Sequence, residues 1–511
     1  MRKKLTCVAL GVILGLVGSI SVGCGSKGFP LVLYKEGMEY TETQKIAPGE
    51  VYALTYDFLG GSDVMPIGGF YAPYASGGSD NGNQQPDFLT DYFFQAIADC
   101  GINMMFYSQD RWSLGGTNTS LNKALDLCEK YGIGYYVDSY YVLGQLGTRT
   151  QDYPLESMKL ATDAGKEKLS QLVDELTDNG RRKCVLGILG QDEPFTAQLD
   201  NLGVLHDAFY GLENTQGMDI HINAIGYWAG ENNFWGYSDP LQFEQYMQMY
   251  FDEVQPAMLS VTQYPFRSAN TPESLVTTLL YNQLSIYRKL ANDHQVPFWR
   301  MLAAGGQWND LAQWIESVDP YPSEAELLFD VNVALAYGAK AIQYFPLIQP
   351  FYFAYEAGGT YDFENRNSLI GADGNLTRWY YYAKRANTQV QAVDEYLMHS
   401  TNDGIIVHGD DATKAIITDG KPGEEIIYEG KYRELTSVAG DDCIVGCFNY
   451  KGGTALYIVN YSRTSKADVQ LNFDRDDYLY EVVQRAESTK VVGGSIPLRL
   501  DCGEGALIVL K

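Results

Sequence analysis

The chain has 511 residues, and because single hydrophobic cores stop growing at about 250 to 300 residues it holds at least two folded units. With 45% hydrophobic and 20% charged residues it is too apolar to be mainly disordered. Its 37 Lys and Arg against 64 Asp and Glu leave a formal charge of −27, a field that repels nucleic acid and anionic lipid headgroups and favours neutral ligands or cations.

Met1-Arg2-Lys3-Lys4 is a positive start, and the uncharged run from Leu5 to Val22 follows it, so residues 1–23 read as a secretory signal. Ser21-Val22-Gly23-Cys24 resembles a bacterial lipobox, which implies that Cys24 is lipidated and becomes the mature N-terminus; Ser21 stands where Leu is usual. The run is nearly long enough to span a bilayer, so an uncleaved anchor is the alternative. Both place the remaining chain outside the cytoplasmic membrane, lipid-anchored in the first case.

Residues 24–60 read as a β-like segment and linker that either adds a strand to a later sheet or covers a barrel floor. Between residues 61 and 398 short apolar runs alternate with amphipathic stretches. The expected strands are Pro66–Tyr71, Ile102–Tyr107, Ile133–Asp138, Cys184–Leu189, Ile220–Ile225, Ala257–Val261, Phe298–Ala303 and Ala339–Phe345. The expected helices between and after them are Asp87–Asp99, Leu121–Tyr131, Leu155–Asn179, Ala197–Leu212, Leu241–Val254, Pro272–Asp293, Glu324–Tyr337 and Thr377–Met398. Eight such units predict an α/β fold, a (β/α)8 TIM barrel. Asn118-Thr-Ser-Leu, Asn270-Thr-Pro-Glu and Tyr321-Pro-Ser-Glu supply helix-entry signals.

Residues 399–511 change to short strands between Gly, Asp and Asn turns, the pattern of an antiparallel β-sandwich. Expected strands are Gly404–His408, Lys414–Thr418, Tyr432–Val438, Cys443–Tyr450, Ala455–Tyr461, Ala467–Phe473, Leu479–Gln484, Ile496–Leu500 and Ala506–Leu510. Beyond Cys7 and Cys24, three cysteines fall early (Cys100, Cys128, Cys184) and three late (Cys443, Cys447, Cys502), which does not read as a disulfide framework. There is no Cys-x-x-Cys pair, no His-Glu-x-x-His and no phosphate-binding glycine loop. The sequence therefore calls for no metal and no cofactor.

In a barrel of this type the residues just past each strand build the site. The fourth strand leaves through Leu186-Gly-Ile-Leu-Gly-Gln-Asp192-Glu193-Pro194. A carboxyl at a partly dry barrel mouth has its pKa raised and can hold a proton near neutral pH. The competing reading is that both acids cap the following helix. The tripeptide resembles the Asn-Glu-Pro signature of clan A glycoside hydrolases, with Asp192 in place of Asn. Further likeness lies in Asp57-Phe-Leu-Gly-Gly, Gln263-Tyr264-Pro265-Phe266, Gln343-Tyr344-Phe345, Ile370-Gly-Ala-Asp-Gly-Asn-Leu-Thr-Arg-Trp and Leu456-Tyr-Ile-Val-Asn-Tyr461.

The resemblance implies hydrolysis of O-glycosidic bonds in a neutral oligo- or polysaccharide, with Glu193 as general acid and Asp192 orienting it. It departs after strand seven, Phe298-Trp-Arg-Met-Leu-Ala-Ala-Gly-Gly-Gln307-Trp308, where the family's nucleophilic Glu is missing. Asp110, Asp138, Glu231, Asp310 and Glu356 are the other acids past strand ends. Asp138 and Glu231 are favoured as the second carboxyl that glycoside hydrolysis requires, because strands three and five flank strand four. Tyr71, Tyr107, Gln109, Tyr227, Trp228, Gln263, Tyr264, Gln307, Trp308, Gln343 and Tyr344 recur at strand exits and read as rings and amides for sugar faces and hydroxyls. A non-catalytic carbohydrate-binding lipoprotein on a degenerate barrel is the rival, and a structural or adhesive surface protein a third reading. Sugar, linkage, stereochemistry and oligomeric state stay open.

Overall fold

The alternating apolar runs form eight parallel strands that close on themselves: β1 (Ile67–Ala72), β2 (Met104–Ser108), β3 (Gly134–Asp138), β4 (Val185–Asp192), β5 (Asp219–Ala224), β6 (Leu259–Thr262), β7 (Phe298–Ala303) and β8 (Ala341–Phe345). Each pairs with its sequence neighbour, and β8 pairs with β1 to complete the ring. The computed structural model describes residues 31–75, 79–80, 83–84, 86–108, 119–138, 159–227, 242–266, 271–305, 322–349, 368–418 and 424–511.

Around the barrel lie α1 (Asp91–Asp99), α2 (Thr119–Tyr131), α3 (Asp163–Leu176), α4 (Thr196–Tyr210), α5 (Phe243–Val254), α6 (Glu273–Val276, continued through a π-turn at Thr277–Tyr281 into Asn282–Asp293), α7 (Glu324–Ala336) and α8 (Arg378–Met398). Helical periodicity explains their inward stripes: α8 buries Trp379, Tyr380, Ala383, Ala386, Asn387, Val390, Val393 and Leu397. At the start of α7, Ser323 Oγ accepts from Glu326 N at 3.2 Å while Glu326 Oε2 accepts from Ser323 N at 2.7 Å, a reciprocal cap. The expected barrel is therefore present.

So is the C-terminal antiparallel region. A seven-stranded sheet runs, in spatial order, Val32–Leu33, Glu487–Gly493, Tyr478–Gln484, Gly505–Leu510, Gly453–Asn460, Cys443–Tyr450 and Ser400–His408; a three-stranded sheet holds Leu435–Gly440, Ala467–Phe473 and Ser495–Leu500. The central strands of the larger sheet are buried on both faces, one against the smaller sheet and one against the barrel helices. Tyr457 Oη donates to Asn332 Oδ1 of α7 at 2.7 Å across that junction. The segment before residue 61 does two things: Val32–Leu33 joins the sheet edge, and Tyr56 and Leu59 pack into the barrel floor with Met104, Phe106, Tyr136, Leu186 and Trp299.

Two strand expectations need correction. Lys414–Thr418 lies in a helix, Asp411–Thr418, because Asp410 Oδ1 accepts from Thr413 N at 2.8 Å and starts a helical turn. Glu487–Gly493 is a strand the pattern missed, since its first four residues are polar and exposed. Cys100, Cys128, Cys184, Cys443, Cys447 and Cys502 are free thiols, all but Cys502 buried.

Candidate active site

Strand β4 carries the two acids to the barrel mouth, and glycines shape its path. A Cβ on Gly187 would sit 1.8 Å from the Asp219 carbonyl oxygen, so β4 and β5 approach closely only because that side chain is missing. Pairing with β5 then slips between Leu189 and Gln191, a bulge that re-aims the strand end and sets Asp192 opposite Asn223. Glu193 follows in the left-handed region at φ 46. Its N–H donates to Asn223 O at 2.8 Å, and Tyr246 Oη on α5 donates to Pro194 O at 2.7 Å, so the turn is pinned on both sides.

The helix-capping reading of the two acids does not hold. Helix α4 begins at Thr196, the residue before it is Phe195, and Gln198 Oε1 accepts the Phe195 N–H at 2.8 Å. Glu193 instead lies half-buried at the mouth. Burial, reinforced by the neighbouring Asp192 carboxylate, pushes it up to about 8, and a Thr262 hydrogen bond opposes that rise. The rise favours the protonated carboxyl at neutral pH.

A layer of buried polar side chains supports the pair from below. Asn223 Nδ2 donates to Asp192 Oδ1 at 3.1 Å and to Thr262 Oγ1. Ser260 Oγ donates to Asn223 Oδ1 at 3.0 Å, Gln343 Nε2 donates to Ser260 Oγ at 2.9 Å, and Gln343 Oε1 lies 3.0 Å from His221 Nε2. His221 stacks on Phe106 at 4.7 Å and 14°, and burial lowers it to about 4, so the ring is neutral. Sequence reasoning overlooked His221, Asn223, Ser260 and Thr262. Their signal was the two-residue alternation in Asp219-Ile-His-Ile-Asn-Ala and Leu259-Ser-Val-Thr, which aims alternate polar residues into the barrel.

The other side of the mouth is aromatic. Tyr71 (φ 70) and Tyr107 (φ 57) end β1 and β2 in the left-handed region, which costs about 1–3 kcal/mol per residue and breaks strand alternation, so Phe70 and Tyr71 enter one cluster. Phe70 stacks on Tyr107 at 5.1 Å, Tyr71 meets Phe345 at 5.3 Å, and Tyr264 stacks on Phe345 at 5.8 Å. Burial first, then Glu193 and Asp192, drive the Tyr264 hydroxyl far above its ordinary pKa, so Tyr264 stands beside the acids as a neutral phenol.

Three predicted sugar contacts lie elsewhere. Tyr344 points outward and donates to Asn387 Oδ1 of α8 at 2.7 Å, because β8 alternation turns Gln343 inward and its neighbours out. Gln263 is buried and donates to Leu279 O in the π-turn of α6. Gln343 belongs to the polar layer beneath the acids and is fully buried. Tyr227 is exposed, its ring edge-on to Phe243 at 5.4 Å. Asp138 ends β3, but its side chain lies outside what the structure describes, as do Cys24, Gln109, Asp110, Trp228, Glu231, Gln307, Trp308, Asp310 and Glu356. Among the described residues no His, Cys, Asp and Glu group is arranged to hold a metal, and no helix is long and apolar enough to cross a membrane.

No protein-family model matches the chain, and no curated protein matches it. Solved structures do. A GH42 β-galactosidase from G. stearothermophilus superimposes with a TM-score of 0.51 at 10% identity, over 90% of this chain and 99% of that one. A GH51 arabinofuranosidase from Xanthomonas axonopodis pv. citri gives 0.45 at 11% identity, over 95% and 100%. A β-galactosidase from Marinomonas ef1 gives 0.44 at 11% identity, over 72% of this chain and 66% of that one. At these identities the likeness is one of fold: the barrel with its following β-domain is an architecture found in clan A glycoside hydrolases.

Proposed function

We propose that this chain is an extracytoplasmic glycoside hydrolase that cleaves O-glycosidic bonds in a neutral oligo- or polysaccharide. The observation that carries the reading is Glu193: a half-buried carboxyl at the C-terminal end of β4, held up to about 8 by burial and by Asp192, beside an aromatic wall. Its proton passes to the leaving oxygen as the C–O bond breaks, water supplies the hydroxyl that closes the anomeric carbon, and the proton that water gives up goes to the second carboxylate. Asp192 holds the charge that keeps Glu193 protonated. Asp138 and Glu231 are the proposed sources of the second carboxyl, since their strands flank β4. The net charge of −27 fits a neutral substrate, and Tyr107 and Tyr264, partly exposed beside the buried Tyr71, provide faces for sugar C–H groups.

The test is a screen of polysaccharides and aryl glycosides, repeated with Glu193→Gln. Turnover of unactivated glycosides should fall by roughly 10²- to 10⁴-fold, with less loss for activated leaving groups and with binding retained. Equal hydrolysis by both forms eliminates the assigned role. Binding without hydrolysis by either form would instead identify a carbohydrate-binding protein on the same barrel.

We further propose that Cys24 is lipidated and anchors the protein to the outside of the membrane. Cys24→Ala should then release the protein from the membrane fraction. Retention of that variant with its leader uncleaved would identify a spanning anchor instead.

A further inference from the structure

The polar layer under the acids has a direction. Ser260 Oγ receives an N–H from Gln343, so its one hydrogen goes to Asn223 Oδ1. The Asn223 carbonyl is thereby occupied, and both of its N–H groups turn to Asp192 Oδ1 and Thr262 Oγ1. Thr262, having accepted, has one hydrogen left to give, with Glu193 and Met301 Sδ, the latter at 3.9 Å, both in reach. At the other end, the Gln343 nitrogen is committed to Ser260, so its oxygen faces His221 Nε2, which must carry the ring hydrogen. His221 Nδ1 finds no hydrogen-bond partner among the described residues, and the ring stacks on Phe106 with Tyr136 and Trp299 tilted against it.

Reversing every bond would require the His221 hydrogen on Nδ1, a buried donor with no acceptor among the described residues. It would also turn the Asn223 oxygen toward Asp192, an acceptor against a carboxylate, which is tolerable only if Asp192 takes up the proton. The two directions of the chain therefore correspond to two locations of one proton.

We propose that His221, Gln343 and Ser260 are positioning residues: through this one-way chain they hold the Asn223 amide nitrogen on Asp192, which keeps Asp192 ionised and leaves the proton on Glu193. The inference rests on the reading of Glu193 as the proton donor of a hydrolase. Among the described residues the other titratable groups facing Glu193 are Asp192 just before it, Tyr264 past β6 and Tyr246 on α5; both phenols are neutral, so within this set the proton is shared between the two carboxyls.

The test is infrared difference spectroscopy of the full-length chain in detergent near neutral pH, reading the carbonyl stretch of a protonated carboxyl. Differences between single variants cancel any contribution from Asp219, Asp330 and Asp394, three other acids that burial raises. The band should vanish in Glu193→Gln and persist in Asp192→Asn. In Ser260→Ala the proton should move: the band should survive addition of Glu193→Gln and vanish on addition of Asp192→Asn. Ser260→Thr, which keeps the hydroxyl, should restore the original assignment. Gln343→Met breaks the chain one bond further back and should act as Ser260→Ala does, which keeps the test decisive if either variant fails to fold. A band that stays on Glu193 in the folded chain-breaking variants overturns the proposal, as does a band on Asp192 in the unaltered protein. No hydrolysis is read, so absent turnover would overturn the enzyme reading alone.

Discussion

The barrel interior has two regions built by the same inward alternation and put to different ends. Strands β1 to β3 fill their part with Phe70, Met104, Phe106 and Tyr136, sealed below by Tyr56 and Leu59. Strands β5, β6 and β8 fill theirs with His221, Asn223, Ser260, Thr262 and Gln343, joined by directed hydrogen bonds that end at the acids of β4. Apolar filling stabilises by removing area from water and tolerates shape-conserving change. The polar filling adds little net stability, but each bond constrains the next, so its value lies in orientation. His221 is the seam: its ring face packs on Phe106 and its edge begins the polar chain.

That contrast is broken most severely from the apolar side. Met104→Ala should cost about 2–5 kcal/mol of stability through the cavity it leaves, read as a lower melting temperature, while the Glu193 carboxyl titrates as before. A shift of the Glu193 midpoint in that variant would show that the two regions are not separable.

A smaller effect should come from the polar side, through pH. The native chain holds Glu193 protonated up to about 8, whereas the unfolded chain releases that proton near the ordinary glutamate value of 4.5. The native state therefore binds more protons between those values, and the stability from this group, fully present below the unfolded value, is lost as pH rises through about 8. Glu193→Gln should flatten that part of the stability curve relative to the unaltered protein. A difference curve with no slope in the window would show that Glu193 is not held protonated.

The smallest expected effect lies outside both regions. Ser323→Ala removes one half of the α7 cap and should cost about 0.5–2 kcal/mol, measured by denaturant unfolding, without altering either the Glu193 titration or the barrel interior. A titration change there would mean that the helix shell, and not the polar chain, sets the acid's environment.

Most of the fold was legible because its strands are buried on both faces and read as continuous apolar runs, as in Val185–Asp192 and Gly505–Leu510. Where burial is one-sided or absent, reading failed: Glu487-Ser-Thr-Lys shows no apolar face, and the isoleucines of Asp411–Thr418 mimic a strand until the Asp410 cap is known. At the site, Glu193 was visible from its place after the fourth strand. Tyr344 was misread because an aromatic beside a strand end carries no mark of the face it occupies.

The sequence by itself determined the order of strands and helices, the break between barrel and sheets, and the position of the Asp-Glu pair, because these follow from periodicity and from turn and cap chemistry within a few residues. Only the tertiary structure decided what surrounds that pair. Asn223, Ser260 and Gln343 lie on three different strands far apart in sequence, and closure of the ring brings Ser260 within 3.0 Å of both other side chains. Burial at that closure, a property of the whole barrel, raises Glu193 and turns a carboxylate into an acid.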